Sequence, residues 1–270
     1  MAVAKAEIAR AEAGWVRGVG QRSLALLRFL GSLLRFLGEA ARASRRGVPR
    51  DVLITQIQEV GAKSLPLVSV AGLAIGVVMA IQTMMLLKKF GVVQYAAVGV
   101  GLGVTRELGP VVTALMVAGR AGSGISAELG SMRVTRQIDA LQVLAVDPLR
   151  YLVATRILAC LIAVPLLTAI ADFLGIFGGL VVTTTVGGVT VPAYMDTTLY
   201  YVTVSDVLTG LGKAAVFGLI IGAVSAHYGF NTEGGTTGVG RATTAAVVVS
   251  CLMIFFADVL LTQLLMSLGY

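Results

Sequence analysis

Long apolar runs with few charges dominate the chain from Ser64 onward. A helix of about 20 residues, rising ~1.5 Å per residue, covers the hydrocarbon core of a bilayer. Five runs are long enough by this measure, at residues 64–87, 95–118, 150–184, 207–228 and 242–267. The pattern predicts an all-α polytopic membrane protein, with a transmembrane domain over residues 64–270.

The first 63 residues follow a different pattern. They hold eleven of the 21 Lys and Arg residues and no long uncharged run. Apolar residues recur at helical spacing, and arginines spaced by seven or eleven residues share one face, namely Arg10, Arg17, Arg28, Arg35 and Arg42. This segment is therefore predicted to be a basic amphipathic helix in the membrane interface, with packing on a partner as the alternative.

Composition agrees with this class, and charge sets an orientation. Only 13% of the residues are charged and 57% are hydrophobic, which is too little charge for a soluble domain of this length. Lys and Arg are concentrated in the N-terminal segment and in the connection 119–150, so both are predicted to be cytoplasmic and the C-terminus to lie outside. Lys88 and Lys89 fall on the outer side and go against this scheme.

The second apolar run contains Arg106, Glu107 and Pro110. Because a charge at the bilayer centre costs at least about 2.5 kcal/mol, such residues usually face a cavity, a partner or a substrate. Pro110 has no N–H, which leaves the Arg106 carbonyl free. Two hypotheses stay open: the two charges pair with Asp172 or Asp258 and fix packing, or they line a cavity where the arginine holds the phosphate of an amphiphile.

The segment 120–149 carries too many charges to span a membrane. A Gly/Ser-rich stretch at 119–124 is predicted to act as a hinge before it. Its apolar residues recur at helical spacing as far as Pro148, which predicts one or two amphipathic helices at the cytoplasmic surface. Such a helix suits docking into a groove of another protein, and a solvated connection over the bundle is the alternative.

Several enzyme motifs are missing from the sequence. Gly212 and Lys213 lack the preceding glycine and the following hydroxyl residue of a P-loop. With His227 as the single histidine, the chain has no His-Glu-x-x-His pattern and no plausible Ser-His pair. The chain is predicted to be neither an ATPase nor a hydrolase, and to carry no cofactor of its own.

Three stretches around the second run form a specific pattern: RELGPVVTAL at 106–115, AGRAGS at 118–123 and AELGSMRVT at 127–135. Together they resemble the MlaE/YrbE permeases of MCE-type lipid ABC transporters. The likeness continues with VDPL at 146–149 and GRATT at 240–244, and it spans roughly residues 60–262.

The resemblance implies the permease subunit of a transporter that moves phospholipid between the bacterial inner membrane and the cell envelope. It implies a homodimeric core, cytoplasmic ATPase subunits that bind the ATP, and an MCE-domain protein ring on the outer side. No nucleic acid is among the partners that it implies.

The resemblance also implies roles for particular residues. It puts Arg106, Glu107, Pro110 and Gln82 beside a lipid cavity of the dimer, between the first, second and fifth spans. ATPase coupling is implied for Glu128, Gly130, Met132, Arg133, Arg136, Gln137 and Asp139. Many relatives carry an acidic residue where this chain has Arg136, which implies a different charge pairing with the ATPase.

Two other functions stay open on the sequence alone. The chain could be a non-transporting membrane scaffold that anchors a partner complex. It could also be an ion-coupled carrier that uses Glu107, Asp172 and Asp258 as a proton relay and works without an ATPase. Neither accounts for the amphipathic cytoplasmic segment as directly as a permease does.

Overall fold

The computed structural model describes residues 24, 27–45 and 47–267. Within these residues all regular structure is helical. Helix α1 covers 27–44. The helices that follow are α2 Arg50–Ile57, α3 Leu65–Lys88, α4 Ala96–Gly103, α5 Gly109–Val117, α6 Ser123–Val134, α7 Gln137–Val143, α8 Thr155–Thr185, α9 Val191–Tyr201, α10 Val204–Phe230 and α11 Gly235–Ser267.

Five helical runs are long and apolar enough to cross a membrane, which confirms the predicted class. Numbered as the first to the fifth span, they are Arg50–Lys88, Val93–Val134, Leu149–Thr185, Val204–Phe230 and Gly235–Ser267. All five cover the predicted runs and extend beyond them. The largest difference is in the second span, which continues to Val134 rather than ending at residue 118.

Two wide helical turns of the π type lie within the second span, and the second of them lets the helix continue past residue 118. One covers Val104–Leu108, directly before Pro110, where a regular α-helix would lack a donor. Another covers Ala118–Gly122 and carries the Gly/Ser-rich stretch without a break in the helix. The predicted end of the second span at residue 118 is therefore wrong, because α6 continues this span as helix, while the hinge role of residues 119–124 stays a prediction. A second short helix, α7, follows as predicted.

Glycines bring the first and third spans into close contact. A Cβ on Gly72 would lie 2.7 Å from the carbonyl oxygen of Ala171, and one on Gly76 would overlap the carbonyl of Gly175. The contacts advance together along both helices, so these spans run parallel. Because the side chain of glycine is a single hydrogen atom, the two backbones can approach closely at these positions, as is common between membrane helices.

Helix α1 packs on the end of the fourth span. The rings of Phe36 and His227 lie 5.2 Å apart, and those of Phe29 and Tyr228 lie 5.7 Å apart. On the opposite face the arginines are exposed, namely Arg28, Arg35 and Arg42. The described part of the N-terminal segment therefore has the predicted amphipathic pattern, with its apolar face on the chain itself. Other residues of that prediction lie outside the described ranges, namely Arg10 and Arg17.

A charged pocket between the second, fourth and fifth spans

The wide turn Val104–Leu108 carries two charged side chains into a pocket of about 120 Å³. Three spans form its walls. The lining residues are Arg106, Glu107, Asp206, Thr209, Lys213, Thr262, Leu265 and Met266. The pocket therefore combines charged groups with the apolar side chains of the fifth span.

Arg106 is held by Asp206 at the start of the fourth span. Its Nη2 and Nε lie 2.5 and 2.6 Å from Oδ1 of Asp206. The other carboxylate oxygen, Oδ2, accepts from the backbone N–H and the hydroxyl of Thr203, both at 2.8 Å. These bonds belong to a capping box that begins α10. One carboxylate thus caps the helix and fixes the arginine.

Lys213 joins the remaining polar groups. Its Nζ lies 2.7 Å from Oε2 of Glu107, 2.7 Å from the hydroxyl of Thr262 and 3.3 Å from Oδ1 of Asp258. It also donates to the carbonyl oxygen of Arg106 at 3.2 Å, the group that Pro110 leaves free. The Lys213 side chain is only 3% exposed, so these acceptors compensate a buried charge.

The exposed part of the pocket is chemically mixed. The side chains of Arg106 and Glu107 remain 46% and 41% exposed. Asp206 occupies Nε and Nη2 of the guanidinium, and Nη1 makes no hydrogen bond to any residue that the structure describes. Free guanidinium donors beside Leu265 and Met266 suit a ligand with an anionic head and an apolar body.

The partners of Arg106 and Glu107 were predicted only in part. Asp258 contacts Lys213, which also contacts Glu107, whereas the hypothesis had Asp258 pair directly with Arg106 or Glu107. Asp172 is not a partner, because neither of its oxygens has a hydrogen bond within the described residues. The two principal partners, Asp206 and Lys213, were not predicted from the sequence.

A signal for these partners was present in the sequence. Asp206 and Lys213 are seven residues apart, which places them on one face of a helix. Lys213 is also the one Lys or Arg in the apolar run 207–228. An intramembrane lysine implies acidic partners, and two of them lie within hydrogen-bond distance here.

Pro110 and Gln82 do not line this pocket. Pro110 is buried beside the fourth span, where a Cβ on Gly210 would lie 3.4 Å from its Cγ. Gln82 is exposed on the first span, which contributes no residue to the pocket wall. Its place beside a dimer cavity stays a prediction.

The residues of the implied coupling segment lie on α6, α7 and the turn between them. Oε1 of Glu128 pairs with Nη2 of the buried Arg156 at 2.8 Å, which ties α6 to the third span. Across the turn, Nη1 of Arg133 lies 2.8 Å from Oδ1 of Asp139. Both pairs leave one or both partners exposed at the surface.

The turn itself exposes Arg136, whose φ of 58° is in the left-handed region, and Gln137 begins α7 behind it. Two other residues of the set serve packing. Gly130 is buried, and a Cβ there would lie 3.0 Å from the hydroxyl of Thr232. Met132 is partly buried against the hydrophobic core.

Comparison with known proteins agrees with these features. The family model described as Permease MlaE matches residues 53–264. A probable ABC transporter permease protein of Rickettsia felis is 40% identical over 247 residues, which cover 91% of this chain and 95% of the relative. A probable ABC transporter permease protein of Synechocystis is 37% identical over 218 residues, or 81% of this chain and 83% of the relative.

A third relative has a more specific name. It is the intermembrane phospholipid transport system permease protein MlaE of Haemophilus influenzae, 35% identical over 219 residues, which cover 81% of this chain and 84% of the relative. The match of the family model and the identity to these relatives extend over most of the chain. The motifs around Arg106 and Glu107 indicated the same relationship, and the chain belongs to the MlaE permease family.

Proposed function

We propose that this chain is the permease subunit of an ABC transporter that moves phospholipid between the inner membrane and the cell envelope. The observation that carries the proposal is the pocket of Arg106, whose free guanidinium donors lie beside the apolar side chains of Leu265 and Met266. A phospholipid offers the matching pair of an anionic phosphate and an apolar body. The name of the Haemophilus relative supports the same substrate class.

In this proposal each charged residue of the pocket has a distinct task. Arg106 binds the phosphate while Asp206 fixes its orientation. Lys213 holds Glu107 and Asp258 together and also braces the wide turn through the Arg106 carbonyl. The turn can then present its charges without collapsing onto the fourth span.

The driving force comes from a separate cytoplasmic ATPase, which binds the ATP. The second span supports this coupling because one helical run from Val93 to Val134 carries both Arg106 and α6. The pair of Glu128 and Arg156 links the same run to the third span. An ATPase that docks at the turn around Arg136 and moves α6 would thereby move the pocket wall.

The assembly that we propose contains two copies of this chain and an MCE-domain protein on the outer side. The fifth span supports a second copy, because only 17% of its most apolar window is buried within one chain. The N-terminus and the turn around Arg136 face the cytoplasm, and the C-terminus faces the periplasm, in accordance with the basic connection 119–150. Lys88 and Lys89 then lie at the outer end of α3.

The proposal is tested by reconstituting the chain with its ATPase in liposomes and measuring ATP-dependent transfer of labelled phospholipid. We expect Arg106→Leu to assemble normally and to lose at least about tenfold in transfer, since one charge-assisted contact contributes about 1.5 to 3 kcal/mol. Lys88→Leu removes an exposed charge outside the pocket and is the control. Normal transfer by Arg106→Leu would contradict the proposal.

The same assay separates the alternatives. A scaffold would move no lipid in any form, whereas an ion-coupled carrier would move its substrate without ATP and stop when ionophores collapse the ion gradient. The structure gives little support to a proton relay of Glu107, Asp172 and Asp258, because Asp172 has no hydrogen bond to the other two residues.

A further inference from the structure

We infer that Asp172, on the third span, is a proton-binding site that holds the pocket-forming turn in place. The site lies outside the charged pocket and does not depend on the proposed transport function. It rests on the burial of the carboxyl group, on its lack of partners among the described residues and on its position against the second span.

The carboxyl group of Asp172 is enclosed by protein. The residue is 5% exposed, and neither carboxyl oxygen has a hydrogen-bond partner among the residues that the structure describes. Its Oδ1 lies directly against Gly109, where a Cβ would overlap the oxygen. Gly109 follows the wide turn that carries Arg106 and Glu107, so Asp172 packs on this segment from the third span, which lines no part of the pocket.

The surroundings of Asp172 offer its carboxyl group neither room for a water molecule nor a neighbouring hydroxyl that donates a hydrogen bond. The cavity next to Asp172, between Gly109, Thr113 and Ala171, is too narrow for a water molecule. The hydroxyl of Thr113 is also buried and has no partner among the described residues, so it donates nothing to the carboxyl group.

No charged group compensates Asp172 from the neighbouring helices. The first span has no ionisable side chain between Ser64 and Leu87. The ionisable groups of the other packed elements are bonded elsewhere: Arg106 to Asp206, Glu107 and Asp258 to Lys213, Arg156 to Glu128, and Tyr194 to the carbonyl of Ile176 at 3.2 Å.

An ionised carboxylate in such a place would bear an uncompensated desolvation penalty of several kcal/mol. A proton removes that charge. The neutral carboxyl group bears no such penalty, so the burial of Asp172 without donors among the described residues favours the protonated form over the ionised form.

Loss of the proton has a mechanical consequence. The ionised group needs donors, and obtaining them from water requires the second and third spans to separate at Gly109. That movement would displace the turn that bears Arg106 and Glu107. Asp172 thus acts as a proton-sensitive brace between the third span and the pocket wall.

The direct test is isotope-edited infrared spectroscopy of the full chain in lipid nanodiscs at neutral pH. We expect a carbonyl stretch of a protonated aspartic acid that is present in the wild type and absent in Asp172→Asn. Asp196→Asn removes an exposed carboxyl group of α9 and should leave this band unchanged. A wild-type spectrum without such a band, or a band that Asp172→Asn retains, would overturn the inference.

A second measurement uses the dependence of stability on pH. The unfolded chain releases this proton above about pH 4, whereas the folded chain keeps it. Because the folded state then binds one more proton, its equilibrium constant over the unfolded state falls about tenfold per pH unit until the folded chain also releases the proton. Asp172→Asn should remove this contribution, while Asp196→Asn should retain it. Equal slopes for wild type and Asp172→Asn would contradict the inference independently of any transport assay.

Discussion

Two aspartates contact the second span from different neighbouring helices and have opposite surroundings. Asp206, on the fourth span, accepts hydrogen bonds from Arg106 and Thr203. Asp172, on the third span, is equally buried and accepts none within the described residues. The same residue type is thus an anchoring anion on the fourth span and an uncharged packing element on the third. The difference arises from the neighbouring helices rather than from the apolar runs themselves.

Lys213→Met is the single substitution that should destabilise the charged pocket most. The change leaves Glu107 and Asp258 close together without their shared cation and removes the donor to the Arg106 carbonyl. Breaking a buried ion pair from one side costs about 3 to 5 kcal/mol. We expect a large fall in the thermal unfolding midpoint in detergent.

A compensated variant serves as the control for Lys213→Met. Adding Glu107→Gln and Asp258→Asn removes the two unpaired carboxylates and should restore part of the lost stability. If the triple variant were no more stable than Lys213→Met, the charges would not be the cause of the loss.

Replacing each of the two aspartates by asparagine tests whether their surroundings differ as described. Asp206→Asn weakens the bonds to Arg106 and Thr203 and should lower the free energy of unfolding by about 1 to 3 kcal/mol. Asp172→Asn keeps a neutral group of the same shape and removes the cost of holding a proton that the unfolded chain releases above about pH 4, so at neutral pH it should raise the free energy of unfolding. Chemical unfolding at neutral pH measures both variants, and a loss of stability in Asp172→Asn would contradict a protonated Asp172.

Gly109→Ala examines the contact between Gly109 and Asp172. The new methyl group would overlap Oδ1 of Asp172, and overpacking of this kind costs about 1 to 3 kcal/mol. Asp172→Ala makes room, so the double variant should lose less stability than the two single variants together. A double-mutant cycle with thermal unfolding gives this coupling, and strict additivity would exclude the contact as the cause.

The five spans could be predicted because hydropathy reports membrane burial one helix at a time. Their ends could not, since helical structure continues through the charged residues of α6 and through the glycines at 119–124. Hydropathy decreases there, but the backbone hydrogen bonds of the helix do not stop.

The pocket was predictable to a smaller extent. Arg106 and Glu107 stand out because charges are rare in an apolar run, and the free Arg106 carbonyl follows from Pro110 alone. Their partners depend on how neighbouring helices rotate and slide against each other. Asp258 and Asp172 look equivalent in the sequence, but only Asp258 faces the pocket, because the glycine contacts of the third span direct Asp172 toward Gly109.

The smallest expected effect concerns the cytoplasmic turn, far from both aspartates. Arg136 has a φ of 58°, a conformation that costs a non-glycine residue about 1 kcal/mol, so Arg136→Gly should leave stability unchanged or raise it slightly. If the side chain serves only the turn, binding of the ATPase will be unaffected as well. We expect weaker binding in a pull-down with the purified ATPase, because the substitution removes an exposed cation at the proposed docking surface. Arg136→Lys keeps the charge and should retain binding, which separates a role in docking from a role in folding.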